Sequence, residues 1–266
     1  MLKFVLKNPF EIPPWGEENN LMLHWFGLTD SYYWFDFGDV KLLRYSDGFV
    51  NQYKLNKNLP YNDYQFARVF WDLTDIILNV LNPIPDSVFD NIRTFGDFES
   101  YFRSLSDWVE NQWNESDEDF ENIYLQARKW IDDRRLDFGY LIGAPNLYFF
   151  KNKDKIYIRW IADYKDENGI YIWETMKGEY VIEFDKFISE LQLSIKNFAI
   201  NMETQIKFVL ENSIKNVFID KKRLQENNNE FLEEVKKYEK ILSSVPEQTD
   251  WDDVLSKVKI IKEPLS

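Results

Sequence analysis

His24 is the only histidine in the chain, and there is no cysteine. Ordinary acid–base or nucleophilic chemistry would therefore have to run through this imidazole or through carboxylates. It heads the densest aromatic run, His24-Trp25-Phe26-Gly27-Leu28-Thr29-Asp30-Ser31-Tyr32-Tyr33-Trp34-Phe35. As a general base, His24 would need a carboxylate to orient it, and Asp30 and Asp36 are the nearest in sequence. No Gly-x-Ser-x-Gly elbow supplies a nucleophile. The competing expectation is an imidazole packed among rings and bonded to a backbone carbonyl, and the missing nucleophile favours it.

Metal and phosphate chemistry find little support. One histidine and no cysteine leave carboxylates as the only other ligands, which disfavours zinc. Asp117-Glu118-Asp119 lacks the alternate spacing and central glycine of a calcium loop. Neither G-x-x-x-x-G-K nor G-x-G-x-x-G occurs. No cofactor and no metal are expected.

The acidic segment is more telling. Residues 62–137 carry 17 acids and 7 bases, a net of −10 in a chain whose formal charge is −14. No Lys or Arg occurs from Ser104 to Ala127, while Asp107, Glu110, Glu115, Asp117, Glu118, Asp119 and Glu121 crowd there, with Trp108, Trp113 and Phe120 between them. A carboxylate run is often only a solvated face. As a recognition surface it would steer a basic protein and hold it with desolvated aromatics, Trp108 and Trp113 foremost. The same charge argues against nucleic acid and against anionic membranes as partners.

Arg134 lies on the apolar stripe Phe120, Ile123, Tyr124, Ala127, Trp130 and Ile131, where an unpaired charge is costly. Asp137, or Asp30 from the aromatic run, is its expected partner. If these segments meet, His24, Trp25, Asp30, Trp34, Trp130, Arg134 and Asp137 would line a small-ligand pocket. If they do not, the guanidinium simply ties a helix end to a sheet.

The elements that must position these groups read as strands, helices, strands, helices. Lys3–Leu6 predicts a strand. Tyr32–Phe37 and Val40–Tyr45 predict a hairpin around Gly38-Asp39. The spacing of Phe66, Val69, Phe70, Leu73, Ile76, Ile77, Val80 and Leu81 predicts a helix, started by Asn62 or Asp63 and stopped before Pro83 and Pro85. Further helices are expected from Asp97 to Trp113 and from Ser116 onward. Leu147–Phe150, Lys155–Ala162, Ile170–Glu174 and Glu179–Phe184 read as an antiparallel meander, with turns at Asn152-Lys153-Asp154 and Asn168-Gly169. Phe184 to Leu210 carries one long amphipathic helix. Ile214–Leu242 predicts a second, interrupted near Asn227-Asn228-Asn229, and a short helix holds Trp251, Leu255 and Val258. The order argues α+β: antiparallel sheet packed against helices, with long C-terminal helices. One domain is expected over 1–212, with 213–266 as a helical extension packed on it. No segment approaches the ~20 apolar residues of a membrane span, and the N-terminus lacks a signal peptide's apolar stretch, so a soluble cytoplasmic protein is expected.

Leu23-His24-Trp25-Phe26-Gly27-Leu28-Thr29-Asp30 with Tyr33-Trp34 resembles the opening motif of an uncharacterised bacterial family of unknown function. Also similar are Ala127-Arg128-Lys129-Trp130, Arg134-Arg135-Leu136-Asp137 with Tyr140-Leu141, Ala144-Pro145, Ile158-Arg159-Trp160, and the helical series Phe184, Phe187, Phe198, Met202. The resemblance spans roughly residues 1–212, which makes the last helical segment look like a local addition. It implies no known catalysis. It implies a place beside bacterial toxin genes, hence an immunity protein that neutralises a basic toxin by blocking its surface. The alternatives are a small-ligand-binding protein or enzyme with a pocket around His24, Asp30 and Arg134, and a scaffold self-associating through the C-terminal helices.

Overall fold

The computed structural model describes residues 1–17, 20–112, 120–244, 246 and 249–262. Its first sheet is built on β2, Asp30–Phe37. Along one edge β2 pairs antiparallel with β1, Leu2–Leu6, placing Phe4 opposite Tyr33. Its other edge is shared end to end by β3, Val40–Leu42, and β4, Asn62–Gln65. The predicted hairpin is present. Gly38 takes φ 77° at the first loop position, where a II′ turn calls for glycine. A short helix α1, Asp47–Tyr53, capped by Ser46, lies between β3 and β4.

The second sheet runs β5-β6-β7-β8: Arg135–Leu136, Asn146–Asn152, Lys155–Ile161 and Lys177–Glu183, all antiparallel. Both of its faces are covered, which is why its middle strands read as nearly unbroken apolar runs. Leu147, Phe149, Ile156, Ile158 and Trp160 point into the main core, which they share with the first sheet. Tyr148 and Phe150, the alternate residues of β6, enter a second core on the opposite face.

Helices complete both cores. The main core holds α2, Phe66–Leu81, with α6, Phe184–Glu211. It also takes the buried stripe of α7, Lys221–Leu242. The second holds α3, Asp86–Phe89, with α4, Phe95–Gln112, and α5, Gln126–Asp132. Helix α8, Trp251–Lys262, closes it with Val254, Val258 and Ile261. This is an α+β fold of antiparallel sheets packed with helices, as the element order implied.

Several expectations are corrected. Asn62 and Asp63 do not cap α2; they belong to β4, because pairing with β2 carries the strand straight into the helix. Ile170–Glu174 is not a strand but a loop held by single bridges, Tyr45 to Trp173 and Lys165 to Tyr171. The helix expected from Ser116 is present among the described residues as a π-helical turn, Phe120–Leu125, that runs on into α5; its cap and first turn lie outside them. α7 begins at Lys221, not Ile214, since residues before Asp220 run along Met22 instead. It is also unbroken through Asn227-Asn228-Asn229, because Asn228 is buried and accepts the indole N–H of Trp25 at 3.1 Å.

Candidate functional site

The aromatic run enters β2 through a 3-10 turn, Gly27–Thr29. This turn lays His24, Trp25 and Phe26 across α2 and α7, where a pocket of about 470 Å3 opens. One wall is aromatic. Phe26 stacks on Trp71 of α2, 5.6 Å between centroids and 5° from parallel. Trp25 tilts between Trp71 and Phe231 at 6.4 and 4.9 Å. The other wall is a polar face of α7 bearing Arg223, Asn227, Glu230 and Glu234. Trp71 donates its indole N–H to Glu234 Oε2 at 3.0 Å, fastening the walls together.

His24 is half-buried at the rim, edge-on to Trp15 at 4.8 Å. Its Nδ1 accepts the Gly27 backbone N–H at 3.2 Å. That bond requires a bare Nδ1, so the proton of the neutral ring sits on Nε2. Burial pushes the imidazole below its ordinary pKa, and the Arg223 charge pushes the same way. The ring is thus bonded to a backbone amide rather than the expected carbonyl, and neither Asp30 nor Asp36 orients it. Asp36 pairs with Lys41 at 2.5 Å.

The other proposed pocket residues do not converge. Asp30 holds Lys7 at 3.1 Å, in a cluster that Asp63 completes from β4. Burial, then the neighbouring Asp63, raises the Asp30 carboxyl, with Lys7 opposing. Trp34 stacks on Tyr61 at 4.0 Å. Trp130 and Arg134 belong to the second core. Arg134 has neither Asp137 nor Asp30 as partner. Its Nη1 donates to Trp130 O at 2.6 Å, its Nη2 to Asn82 O at 3.4 Å, and the guanidinium lies over Trp251. Burial pulls it down to about 10, with Asp133 working against the shift. Asp137 is exposed and turns back on Gly139 N–H at 2.9 Å. Sequence proximity misled because Arg134 lies just past the end of α5 and its guanidinium turns to the Trp130 and Asn82 carbonyls and to Trp251.

The docking residues also divide. Asp107, Glu110 and Glu121 are exposed and form no ion pair among the described residues. Trp108 is corrected: it is 8% exposed and packs in the second core, so it offers no docking surface. Trp113, Glu115, Asp117, Glu118 and Asp119 lie outside the described residues. Sequence reasoning missed Trp71, Arg223, Glu230 and Glu234. The last three share a helical face with Asn227, but on a helix this charged such a face reads as solvated.

A groove of about 660 Å3 also runs between β1 and α6. Its side chains are largely engaged at home: Asn201 donates to Asn197 O, Thr204 to Ile200 O, Lys7 pairs with Asp30, and Glu190 with the N-terminal ammonium. The pocket at His24 carries more uncommitted charge. Among the described residues no group of three or more carboxylates and imidazoles stands where it could hold a metal. No helix among them is long and apolar enough to cross a membrane.

Fold and pocket together define an α+β protein with a mixed aromatic and charged cleft where its opening motif meets a C-terminal helix. The chain belongs to a family of unknown function, DUF5984, whose model matches residues 1–257. That match continues past residue 212 and takes in α7, which is therefore no local addition. No curated protein and no solved structure matches.

Proposed function

We propose that the protein is a non-enzymatic binding protein whose ligand enters the pocket between the aromatic run and α7. The observation that carries this reading is the state of His24. A general base needs a free lone pair and a partner that orients the ring. Here the Nδ1 lone pair is taken by Gly27 N–H, and Nε2–H is left as a donor. Aromatic walls with a few converging polar groups suit recognition of a small ligand. The test is thermal unfolding of the full chain with amino acids, short peptides, nucleotides and sugars. Ligand at about 100 times its Kd stabilises by ~2.7 kcal/mol. One class should raise the midpoint by several degrees, and Trp71→Ala should abolish the shift. The reading fails if no class shifts the wild type, or if the shift survives that substitution.

A second reading, capture of a basic protein of bacterial-toxin type in the cytoplasm, is favoured by a different observation. Asp107, Glu110 and Glu121 are exposed and form no ion pair among the described residues. With Trp108 buried, such a surface would act through electrostatic steering rather than aromatic anchoring. Reversing these three charges to Lys should slow association with the product of a neighbouring toxin gene about tenfold or more at low salt, with little effect at high salt. Absence of any complex with that product, together with no protection of cells expressing it, sinks the immunity reading.

A further inference from the structure

The polar wall of the pocket has a direction. Arg223, Asn227, Glu230 and Glu234 succeed one another at i, i+4, i+7 and i+11, the spacing that keeps side chains on one helix face. Arg223 and His24 line the same pocket, and the Arg223 charge acts on the imidazole. Two donors, the guanidinium and the Nε2–H, therefore gather at the N-terminal end of α7. Two carboxylates follow seven and eleven residues on. Over seven residues the helix rises about 10 Å. Neither Arg223 nor Glu230 forms an ion pair among the described residues. Asp220 also lines the mouth, but its carboxylate is engaged as the helix cap, accepting the Arg223 backbone N–H at 3.0 Å. Across from this charged face lies the stacked pair Phe26 and Trp71.

We propose that the pocket takes a short zwitterionic peptide: its carboxylate received by Arg223 and His24, its ammonium by Glu230 and Glu234, and an apolar side chain against Phe26 and Trp71. The inference rests on the pocket being a binding site and adds the class of ligand. A free α-amino acid carries both charges on one carbon. A dipeptide separates them along its backbone, at up to ~3.3–3.6 Å per residue. Two residues reach ~7 Å, and the flexible Arg223 and Glu230 side chains can close the remaining ~3 Å of the ~10 Å rise between them, whereas a single amino acid cannot span it. The volume of about 470 Å3 accommodates a ligand of that size.

Calorimetric titration of the full chain with a panel of apolar dipeptides tests this, alanyl-phenylalanine first, alongside its C-terminal amide, its N-acetyl derivative and phenylalanine alone. At least one dipeptide should bind, and both capped forms and the single amino acid should bind about tenfold more weakly or worse, as expected when a charged hydrogen bond is lost. Arg223→Ala should weaken the parent and erase the distinction between acid and amide. Glu230→Gln should erase the distinction between amine and acetyl. Both side chains are exposed, and unfolding curves confirm that the variants fold. Equal binding of a capped form, or parent binding indifferent to both substitutions, overturns the proposal. If no dipeptide binds while some other compound stabilises the wild type but not Trp71→Ala, the peptide assignment falls and the binding site stands. If no compound gives a Trp71-dependent shift, both fall.

Discussion

Gly27 N–H is buried, and His24 Nδ1 is its acceptor. His24→Ala removes that acceptor and leaves a buried donor unpaired, a loss of about 1–2 kcal/mol. Denaturant titration at pH 7.5 or so should show it, and an unchanged midpoint would mean that water replaces the ring at no cost. Protonation threatens the same bond, because a second N–H would face Gly27. His24 is held below its ordinary pKa, so the unfolded chain takes the proton first as pH falls. Its contribution is complete above about 6.5 and is lost as pH falls through the lowered folded value. Asp72 on α2 behaves oppositely. It pairs through Oδ1 with the half-exposed Arg68 at 3.1 Å. Burial pushes its carboxyl up to about 6, although Arg68 pulls down. A folded carboxyl above its unfolded value stabilises below about 4 and loses that contribution as pH rises through about 6. Asp72→Asn should therefore stabilise by about 1–2 kcal/mol at neutral pH, the figure being reduced for solvent around Arg68, and by almost nothing near pH 4. Paired urea titrations at the two pH values decide it. A gain at pH 4 equal to that at pH 7 would show that packing rather than charge is responsible.

At the scale of elements, two buried arginines donate to carbonyls at helix ends, and they differ in how well they are satisfied. Arg159 of β7 is wholly buried and donates to the carbonyls of Ile92 and Arg93, where a short helix ends, and to Glu179 of β8 at 3.3 Å. Among the described residues Arg134 has two carbonyl partners, no carboxylate, and no partner for its Nε. Removing a well-satisfied buried charge strands its partners, whereas replacing a poorly satisfied one with an apolar chain is close to neutral. Arg159→Met should cost about 3 kcal/mol and Arg134→Met less than about 1. Chemical denaturation ranks them, and the reverse order would contradict this account. Such contacts mark the limit of what was legible. Helix α2 and the hairpin at Gly38 could be read directly because periodicity and a two-residue turn are local signals. The burial of Trp108 could not, since its acidic neighbours suggest a surface and only tertiary packing, with Tyr124 stacked beside it in the second core, turns it inward. The continuity of α7 through three asparagines was hidden for a similar reason. Asn228 is tolerated there because an indole from the opening motif, 203 residues away in sequence, supplies its hydrogen bond. The pocket was legible by half: the aromatic run is conspicuous, but its charged wall comes from a helix that looks like any solvated one.

The whole molecule is organised around the double-faced second sheet, and this bears on how the C-terminal helices act. A scaffold that self-associates through them would need free apolar stripes. On α7, Leu224, Phe231, Val235, Tyr238 and Leu242 are all buried, and on α8 so are Val254, Val258 and Ile261. Phe231 packs against Trp25, Phe70 and Phe198, three separate elements of the main core. Five large side chains at ~1.5–3 kcal/mol each amount to roughly 7–15 kcal/mol of apolar burial from α7 alone. That is comparable to the entire stability of an ordinary domain, about 5–15 kcal/mol. A fragment comprising residues 1–212 should consequently lack a cooperative thermal transition and expose its indoles, with fluorescence shifted toward that of water-exposed tryptophan. Adding residues 213–266 as a separate chain should restore some of the transition if the missing burial is the cause. A fragment 1–212 that melts sharply, with native-like fluorescence, would show that α7 and α8 are accessory after all, and would return the C-terminal helices to consideration as a surface for assembly.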